Sequence, residues 1–432
     1  MTDSPSVVIV GGGVIGLCAA WFATQRGWRV TVLERGGHGP DGGPETGCSL
    51  GNAGMIVPSH FVPLAAPGMV AMGLKMMRDP RSPFYIRPRL DRDLLDWGVR
   101  FARAANARHV TQSAPLLRDL SLQSRRLYEE FDTSGVLDEL DSEPGFGLTK
   151  HGLLMLCKTQ HALDEEAHMA QTARQLEMPA DVLTPTEAAR LDPAVEMDIA
   201  GAVHYPLDCH LSPSRFVQKL ARALTRNGVQ LRANAHVVGW KTRGETIEAA
   251  RLNSGEEVCA NEFVLAGGAW SPELVRGLGL RLPMQAGKGY SVTLQHPRQM
   301  PRLCSILVEA RVAVTPLGDS LRFGGTMEIA GMDETIRPVR VEGITNAAQR
   351  YFPQFETKDF ADLPVWAGLR PCSPDGLPYL GRFRHWTNLS AATGHAMMGL
   401  SLAPVTGQLL TQVLAGEAPS VPIEALSPDR FR

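Results

Sequence analysis

No two of the seven cysteines, Cys18, Cys48, Cys157, Cys209, Cys259, Cys304 and Cys372, stand at C-x-x-C spacing, and their number is odd. That pattern excludes a disulfide framework and a zinc site and is the thiol usage of a cytosolic protein. An excess of one charge is also lacking: 43 basic against 45 acidic residues leave a formal charge of −2. There is no basic cluster and no interleaving of aromatic with basic residues, so a nucleic-acid partner is excluded. No apolar run approaches a membrane span, and the first strand is expected so close to the amino terminus that no signal peptide precedes it. Internal repeats and low-complexity tracts are absent too. What remains is a chain of 432 residues, long enough for two domains with large cores.

The most informative stretch is Val7-Val8-Ile9-Val10 followed by Gly11-Gly12-Gly13-Val14-Ile15-Gly16. Four apolar, mostly β-branched residues bounded by glycine predict a buried parallel strand. Residues 14–26, stopped by Gly27, predict a packed helix. Gly11, Gly13 and Gly16 supply the tight turn, the close approach of backbone to pyrophosphate, and the close packing of helix on strand. The N–H groups around Val14 and Ile15 then face the phosphates at the helix start. A second strand, Val30-Thr31-Val32-Leu33, ends in Glu34 and Arg35, and an acid at this spacing is a ribose hydroxyl acceptor that disfavours a 2′-phosphate. The glycines by themselves leave NAD and FAD both open.

Residues 36–47 read as a loop that delivers Cys48-Ser49-Leu50-Gly51-Asn52-Ala53-Gly54, small residues suited to backbone approach by a planar ligand. Helical periodicity covers 93–107, 113–131 and 161–177, with a strand at 153–157. Ser212 is a predicted cap, with Pro213 opening a helix that reaches about 227–228. Short antiparallel strands are expected at 230–240, 247–252 and 257–259, then a buried strand at 263–266 that opens into Gly267-Gly268-Ala269-Trp270-Ser271. Alternation over 290–327 predicts a further sheet, 343–352 a helix, and the Pro- and Gly-punctuated segment after Pro371 a loop to Gly381. A last strand at 389–392, the stretch 393–399 and a helix at 400–414 repeat the strand–glycine–helix theme. Asp138-Glu139 and Asp164-Glu165-Glu166 read as solvated helix faces. His60, His204 and His210 lack metal-ligand spacing and read as structural. The methionine-rich segment 61–101 reads as a packing element, with a bilayer contact as the alternative.

Taken together, the glycine loop with Glu34, Gly51-Asn52-Ala53-Gly54, Ala266-Gly267-Gly268-Ala269-Trp270-Ser271, Gly287-Lys288-Gly289-Tyr290-Ser291, Ala367-Gly368-Leu369-Arg370-Pro371 with Pro374-Asp375-Gly376, and Thr393-Gly394-His395 with Gly399 are distinctive. The chain resembles the D-amino acid oxidase superfamily of FAD-dependent amine oxidoreductases, most closely its D-amino acid dehydrogenase branch. The resemblance implies an α/β fold. A Rossmann-type FAD-binding domain is built from segments 1–60, 201–285 and 364–432, and a substrate domain with a large mixed β-sheet flanked by helices from 61–200 and 286–363. It implies that Ser49, Gly51, Asn52, Ala53 and Gly54 lie along the flavin, and that Ala266, Gly267, Gly268 and Trp270 also hold the cofactor. Gly394, His395, Ala396, Met397, Met398 and Gly399 belong at the pyrimidine end of the ring, and Val237 or Val238 at the adenine side.

Oxidising an amino acid at its α-carbon requires a neutral amine and a clamp for the carboxylate, while the cofactor carries the electrons. Arg370, in a Leu-Arg-Pro context like that of the family's carboxylate-binding arginine, is the expected clamp. Tyr290 is expected to share the carboxylate or to be a core tyrosine of the sheet. His395 is expected at the flavin loop, with a direct kinetic role as the alternative. Cys372 does not match the sarcosine oxidase attachment motif, so FAD is expected to be non-covalent. No metal is expected. The implied activity is FAD-dependent deamination of a D-amino acid, or equally of a cyclic secondary amine such as D-proline or a hydroxyproline isomer. Electrons pass to a quinone or another carrier from a cytoplasmic enzyme with a peripheral membrane contact. The alternatives are an oxygen-using oxidase of the glycine or sarcosine type, an NAD-dependent dehydrogenase, and a non-catalytic flavoprotein subunit.

Overall fold

A computed structural model of the chain describes residues 4–37, 39, 47–138 and 144–431. Its first layer is a six-stranded sheet in the order Tyr379–Arg382, Leu389–Thr393, Glu262–Leu265, Ser6–Val10, Arg29–Leu33, Gln230–Arg232. All neighbours are parallel except the first pair. Strands drawn from both ends and the middle of the chain therefore meet in one sheet. The glycine loop follows its Ser6–Val10 strand and leads into the helix Val14–Gln25. That helix is apolar on most faces because it is covered by the helix Ala403–Leu414: a Cβ on Gly407 would stand 2.6 Å from the backbone carbon of Cys18. Only glycine allows the two backbones to approach so closely.

The second layer is a mixed nine-stranded sheet. Its order is Val365–Cys372, Gln285–Gln295, Ser320–Ile329, Val312–Leu317, Cys304–Leu307, Leu153–Cys157, Gly201–Tyr205, Asp181–Leu183, with Phe84–Ile86 pairing beside Ser320–Ile329. A small antiparallel sheet, Val237–Arg243, Thr246–Leu252 and Glu257–Cys259, lies apart from both.

Several expectations shift. The Gly201–Tyr205 and Val365–Cys372 strands, assigned from sequence to the cofactor-binding segments, hydrogen-bond within the nine-stranded sheet instead. The latter runs one residue into the loop expected after Pro371. The stretch 230–240 is two strands, and Gln230–Arg232 pairs in parallel with Arg29–Leu33, because a three-residue strand shows no period by which to assign its sheet. The helix expected at 113–131 is Ala107–Ser134, with Pro115 inside it; Asn106 caps it by accepting from the His109 N–H at 2.9 Å. Ser212 stands at the N-cap of Pro213–Arg226, yet its side chain makes no capping bond. In 61–101, Phe61 and Trp97 are core residues, but the helix Met69–Met76 buries none of its side chains, so its methionines do not fill a core. Glu139 and most of the loop at 36–47 lie outside the described residues.

Candidate active site

One continuous cavity of about 860 Å³ runs from the glycine loop, between the two large sheets, to Arg370 and the segment 395–400. At the glycine end the backbone does the shaping. Gly11 has φ +117°, and a Cβ there would lie 2.4 Å from the Ala266 carbonyl oxygen, while a Cβ on Gly16 would lie 1.9 Å from the Gly11 oxygen. Gly13 occupies the N-cap without a side chain, so the first N–H groups of Val14–Gln25 are not capped from that position. The Val14 N–H donates to Ser49 Oγ at 3.0 Å, drawing the 49–54 loop over the helix start. Glu34 is buried; its Oε2 accepts from Gly12 N–H at 2.7 Å and its Oε1 from Gly36 N–H at 2.9 Å. Each oxygen retains acceptor capacity beyond that one bond, and Glu34 lines the cavity. The Arg35 guanidinium stacks over the Trp270 ring at 3.4 Å, and Val237, buried, and Val238, exposed, close the wall beside Ala235 and His236. An anion-binding helix start, a buried carboxylate and glycines held against backbone suit the pyrophosphate and ribose of FAD.

In the middle of the cavity the loop 49–54 is held from below. Arg322 Nη1 donates to the carbonyls of Leu50 at 3.0 Å and Asn52 at 2.7 Å, and Ser291 Oγ donates to Gly51 O at 3.2 Å. Burial brings the Arg322 pKa down to about 10, which leaves it charged at neutral pH. Nothing in its sequence surroundings marked this arginine. The Trp366 ring fits between two glycines: a Cβ on Gly51 would stand 2.0 Å from it, and one on Gly368 2.2 Å. Gly54, at φ +81°, turns the chain beneath Leu211. Asn52 Oδ1 accepts from Gly54 N–H at 2.8 Å, and Ala53 lines the cavity.

Arg370 lies on the strand Val365–Cys372 and lines the cavity. Its neighbour across the ladder is Gly289-containing strand Gln285–Gln295, where a Cβ on Gly289 would stand 2.2 Å from the guanidinium. Its Nη1 donates to the Thr326 carbonyl. Among the described residues it forms no ion pair, and the groups facing it electrostatically are the thiols of Cys48 and Cys372, both pushed up to about 12 by burial. Desolvation accordingly lowers the Arg370 pKa. A desolvated guanidinium without a counter-ion, on a cavity wall, is an anion site.

Tyr290 belongs to the other face of the sheet. Gly287 and Gly289 face Met327, Cys372 and Arg370, whereas the Tyr290 ring packs with Val292, Val314 and Ile344, 1% exposed, and its hydroxyl donates to Glu328 Oε2 at 2.7 Å. The period-two alternation of a strand sets its ring off the face that carries the guanidinium; Tyr290 is nevertheless among the residues that line the cavity, and its phenol is engaged with Glu328, as in the core reading that the sequence left open beside the carboxylate one. His395 is buried beside the Val365–Cys372 strand, through a bridge to Cys372, with Nε2 2.9 Å from Thr406 Oγ1. Burial lowers its pKa to about 3, so the imidazole is neutral at physiological pH. Gly394, at φ +79°, lies against the Tyr379 ring, and Ala396–Met398 forms a single 3-10 turn before Gly399 and the helix Ala403–Leu414. Ala396, Met397, Met398 and Gly399 line the cavity, as do Ala266, Gly267, Gly268 and Ile15.

Two groups read as inert from sequence also reach this cavity. His60 lines it, with Nδ1 3.1 Å from Ser59 Oγ, which in turn donates to the buried Asp208 carboxylate, raised by desolvation to about 7. Glu166, expected on a solvated face, lines another wall with Arg311, and burial raises its pKa to about 7. Neither carried a signal, since both meet the cavity only through long-range packing.

The model of the FAD dependent oxidoreductase (DAO) family matches residues 6–413. The D-amino acid dehydrogenase of Granulibacter bethesdensis is 30% identical, with 96% of this chain and 97% of that protein covered. That of Methylobacterium radiotolerans is 32% identical, covering 98% and 99%. Among solved structures, glycine oxidase from Geobacillus kaustophilus superposes with a TM-score of 0.78 at 24% identity over 99% of this chain and all of that one, 100%. L-proline dehydrogenase from P. horikoshii gives 0.71 at 18% identity, covering 100% and 98%. At these identities the structural likenesses speak for the fold alone.

Proposed function

The chain belongs to the DAO family of FAD-dependent oxidoreductases, and from that premise we propose that it oxidises D-amino acids at the α-carbon. The product is an imino acid, which water converts to a 2-oxo acid and ammonia, and the two electrons leave to a quinone or another carrier. Cyclic secondary amines such as D-proline and hydroxyproline isomers fall within the same chemistry. The observation that carries this reading is Arg370, a desolvated guanidinium on the cavity wall without an acidic partner among the described residues. It grips the substrate carboxylate through paired N–H donors. The D-amino acid class and the dehydrogenase reaction rest on the names of the relatives at 30% and 32% identity.

Gly11, Gly13, Val14, Glu34, the loop 49–54, Val237, Ala266–Trp270 and the segment 394–399 are the groups that would hold FAD, without a covalent bond, since burial keeps the Cys372 thiol protonated. When bound, FAD supplies the two-electron acceptor. The protein's own part is positioning. Arg370 fixes the carboxylate, and apolar Met55, Met155, Ile306, Ala313 and Met398 line the cavity and keep water out. His395, neutral and hydrogen-bonded to Thr406, orders its loop. The helix Met69–Met76 exposes Val70 and Leu74 beside the cavity-lining Met72, which supports a peripheral contact with a bilayer that carries the quinone.

The test is anaerobic: the visible flavin spectrum is followed while D- and L-amino acids, proline isomers, glycine and sarcosine are added. Bleaching by D-amino acids followed by reoxidation with a quinone supports the proposal. Bleaching only by glycine or sarcosine, with near-stoichiometric peroxide in air, replaces it by an oxidase. Flavin that stays with acid-precipitated protein would refute the non-covalent reading, and co-sedimentation with lipid vesicles reads the membrane contact.

A further inference from the structure

The strand Gln285–Gln295 runs between the strand that carries Arg370 and the strand Ser320–Ile329. Its pairing with the latter is regular at Gly287↔Ile329 and Lys288↔Glu328, and again from Tyr290↔Gly325 onward. Gly289 alone therefore opposes both Thr326 and Met327, which is a β-bulge. Thr326 pays for the bulge with φ +68°, a left-handed conformation that a β-branched residue rarely adopts. Strain of this kind persists only where the surroundings over-determine it. The bulge aims the Thr326 carbonyl at Arg370, and the missing Cβ of Gly289 leaves the guanidinium its place on the same face.

On the opposite face, directly behind the bulge, lies a cluster of buried polar groups. Lys288 and Tyr290 flank the register shift, and both reach the same oxygen of Glu328: Tyr290 Oη donates to Oε2 at 2.7 Å and Lys288 Nζ stands 3.5 Å from it. Lys288 and Glu328 are wholly inaccessible to solvent, at 0% exposure. Lys288 Nζ also donates to Thr335 O at 2.7 Å, and Arg337 Nε lies 3.1 Å from Glu328 Oε1. A slip that removed the bulge would pull Tyr290 and Lys288 out of phase with Glu328 and turn charged side chains toward the wrong face. We propose that Tyr290 and Lys288, acting through Glu328, are positioning residues that hold the Thr326 bulge and thereby orient Arg370 toward a carboxylate. This deepens the reading of Arg370 as the clamp and rests on it.

The test uses the flavin-loaded protein, with benzoate as a carboxylate probe and benzamide as its uncharged counterpart, binding being followed in the flavin spectrum. Tyr290→Phe removes one hydroxyl from the cluster and leaves the ring. It is expected to weaken benzoate binding about tenfold and raise KM similarly, with kcat, benzamide binding and flavin content unchanged. Thr326→Gly relieves the left-handed strain while keeping the carbonyl, so adding it to Tyr290→Phe is expected to restore benzoate binding. Wild-type benzoate affinity in Tyr290→Phe, or equal loss of benzoate and benzamide binding that Thr326→Gly does not restore, would overturn the positioning role. Arg370→Ala separates the two levels: unchanged benzoate binding there overturns the clamp itself. Loss there together with full binding in Tyr290→Phe overturns only the positioning.

Discussion

The two ends of the cavity are built on different principles. At the glycine end the contacts that matter are made by backbone: Gly16 against Gly11, Gly11 against Ala266, and the start of Val14–Gln25, where Gly13 at the N-cap brings no side chain. At the Arg370 end the important group is a side chain, whose place is set by two neighbouring strands, one contributing the absent Cβ of Gly289 and the other a carbonyl raised by a bulge. A backbone site needs only a short contiguous motif and tolerates no added atoms. A side-chain site tolerates change around it as long as the strands that aim it keep their register.

That contrast can be broken at either end. The largest effect is expected from Gly16→Val, because even a Cβ would stand 1.9 Å from backbone oxygen that cannot move aside. Purified protein should lack flavin absorbance and melt well below the wild type; a yellow, stable variant would remove the backbone argument. Arg370→Ala comes next, with kcat/KM down about 10²–10³-fold as a buried charge–carboxylate pair is lost. Flavin should stay bound, and normal kinetics would show that the clamp lies elsewhere. Gly51→Ala sharpens the comparison at its midpoint. The new methyl meets the Trp366 ring at 2.0 Å, a side chain and not backbone, so the loss should be about 1–3 kcal/mol in a chemical-denaturation curve, not collapse.

The smallest effect concerns pH. Burial holds the His395 pKa near 3 in the folded chain, below its ordinary 6.5, so between these values the unfolded chain binds the extra proton. The stability contributed by neutral His395 is complete above 6.5 and is lost as pH falls toward 3. Asp208 and Glu166, both raised by burial to about 7, act in the opposite sense, so the histidine is isolated by difference. The melting temperature of the wild type should drop more steeply on acidification below 6.5 than that of His395→Asn. Parallel curves would mean that the imidazole is not buried neutral.

The elements legible in the sequence share one property, that their causes are close together along the chain. The strand Ser6–Val10, its glycines, the helix Val14–Gln25 and Glu34 at the end of Arg29–Leu33 follow from local periodicity and from conformations only glycine accepts. Arg370 was singled out because its Leu-Arg-Pro context is contiguous. For Tyr290 the sequence left a site residue and a core tyrosine both open, since an isolated strand has no inside until a second layer is packed on it. Arg322 went unmarked, and His60 and Glu166 were read as structural and solvated, for a related reason: His60 and Glu166 line the cavity, and Arg322 holds the loop 49–54, only across folds of chain far from their own segments.

By itself the sequence determined the α/β class, the glycine turn between Ser6–Val10 and Val14–Gln25, and the strand that ends at Glu34, because steric exclusion and period act over a few residues. Only the tertiary structure decided which sheet received Gln230–Arg232 and Val365–Cys372, which face Tyr290 took, and that Arg370 stands desolvated without a partner acid among the described residues. Those outcomes depend on strand order, on a one-residue register shift and on exclusion of water, and these exist only once distant strands have been hydrogen-bonded into one sheet.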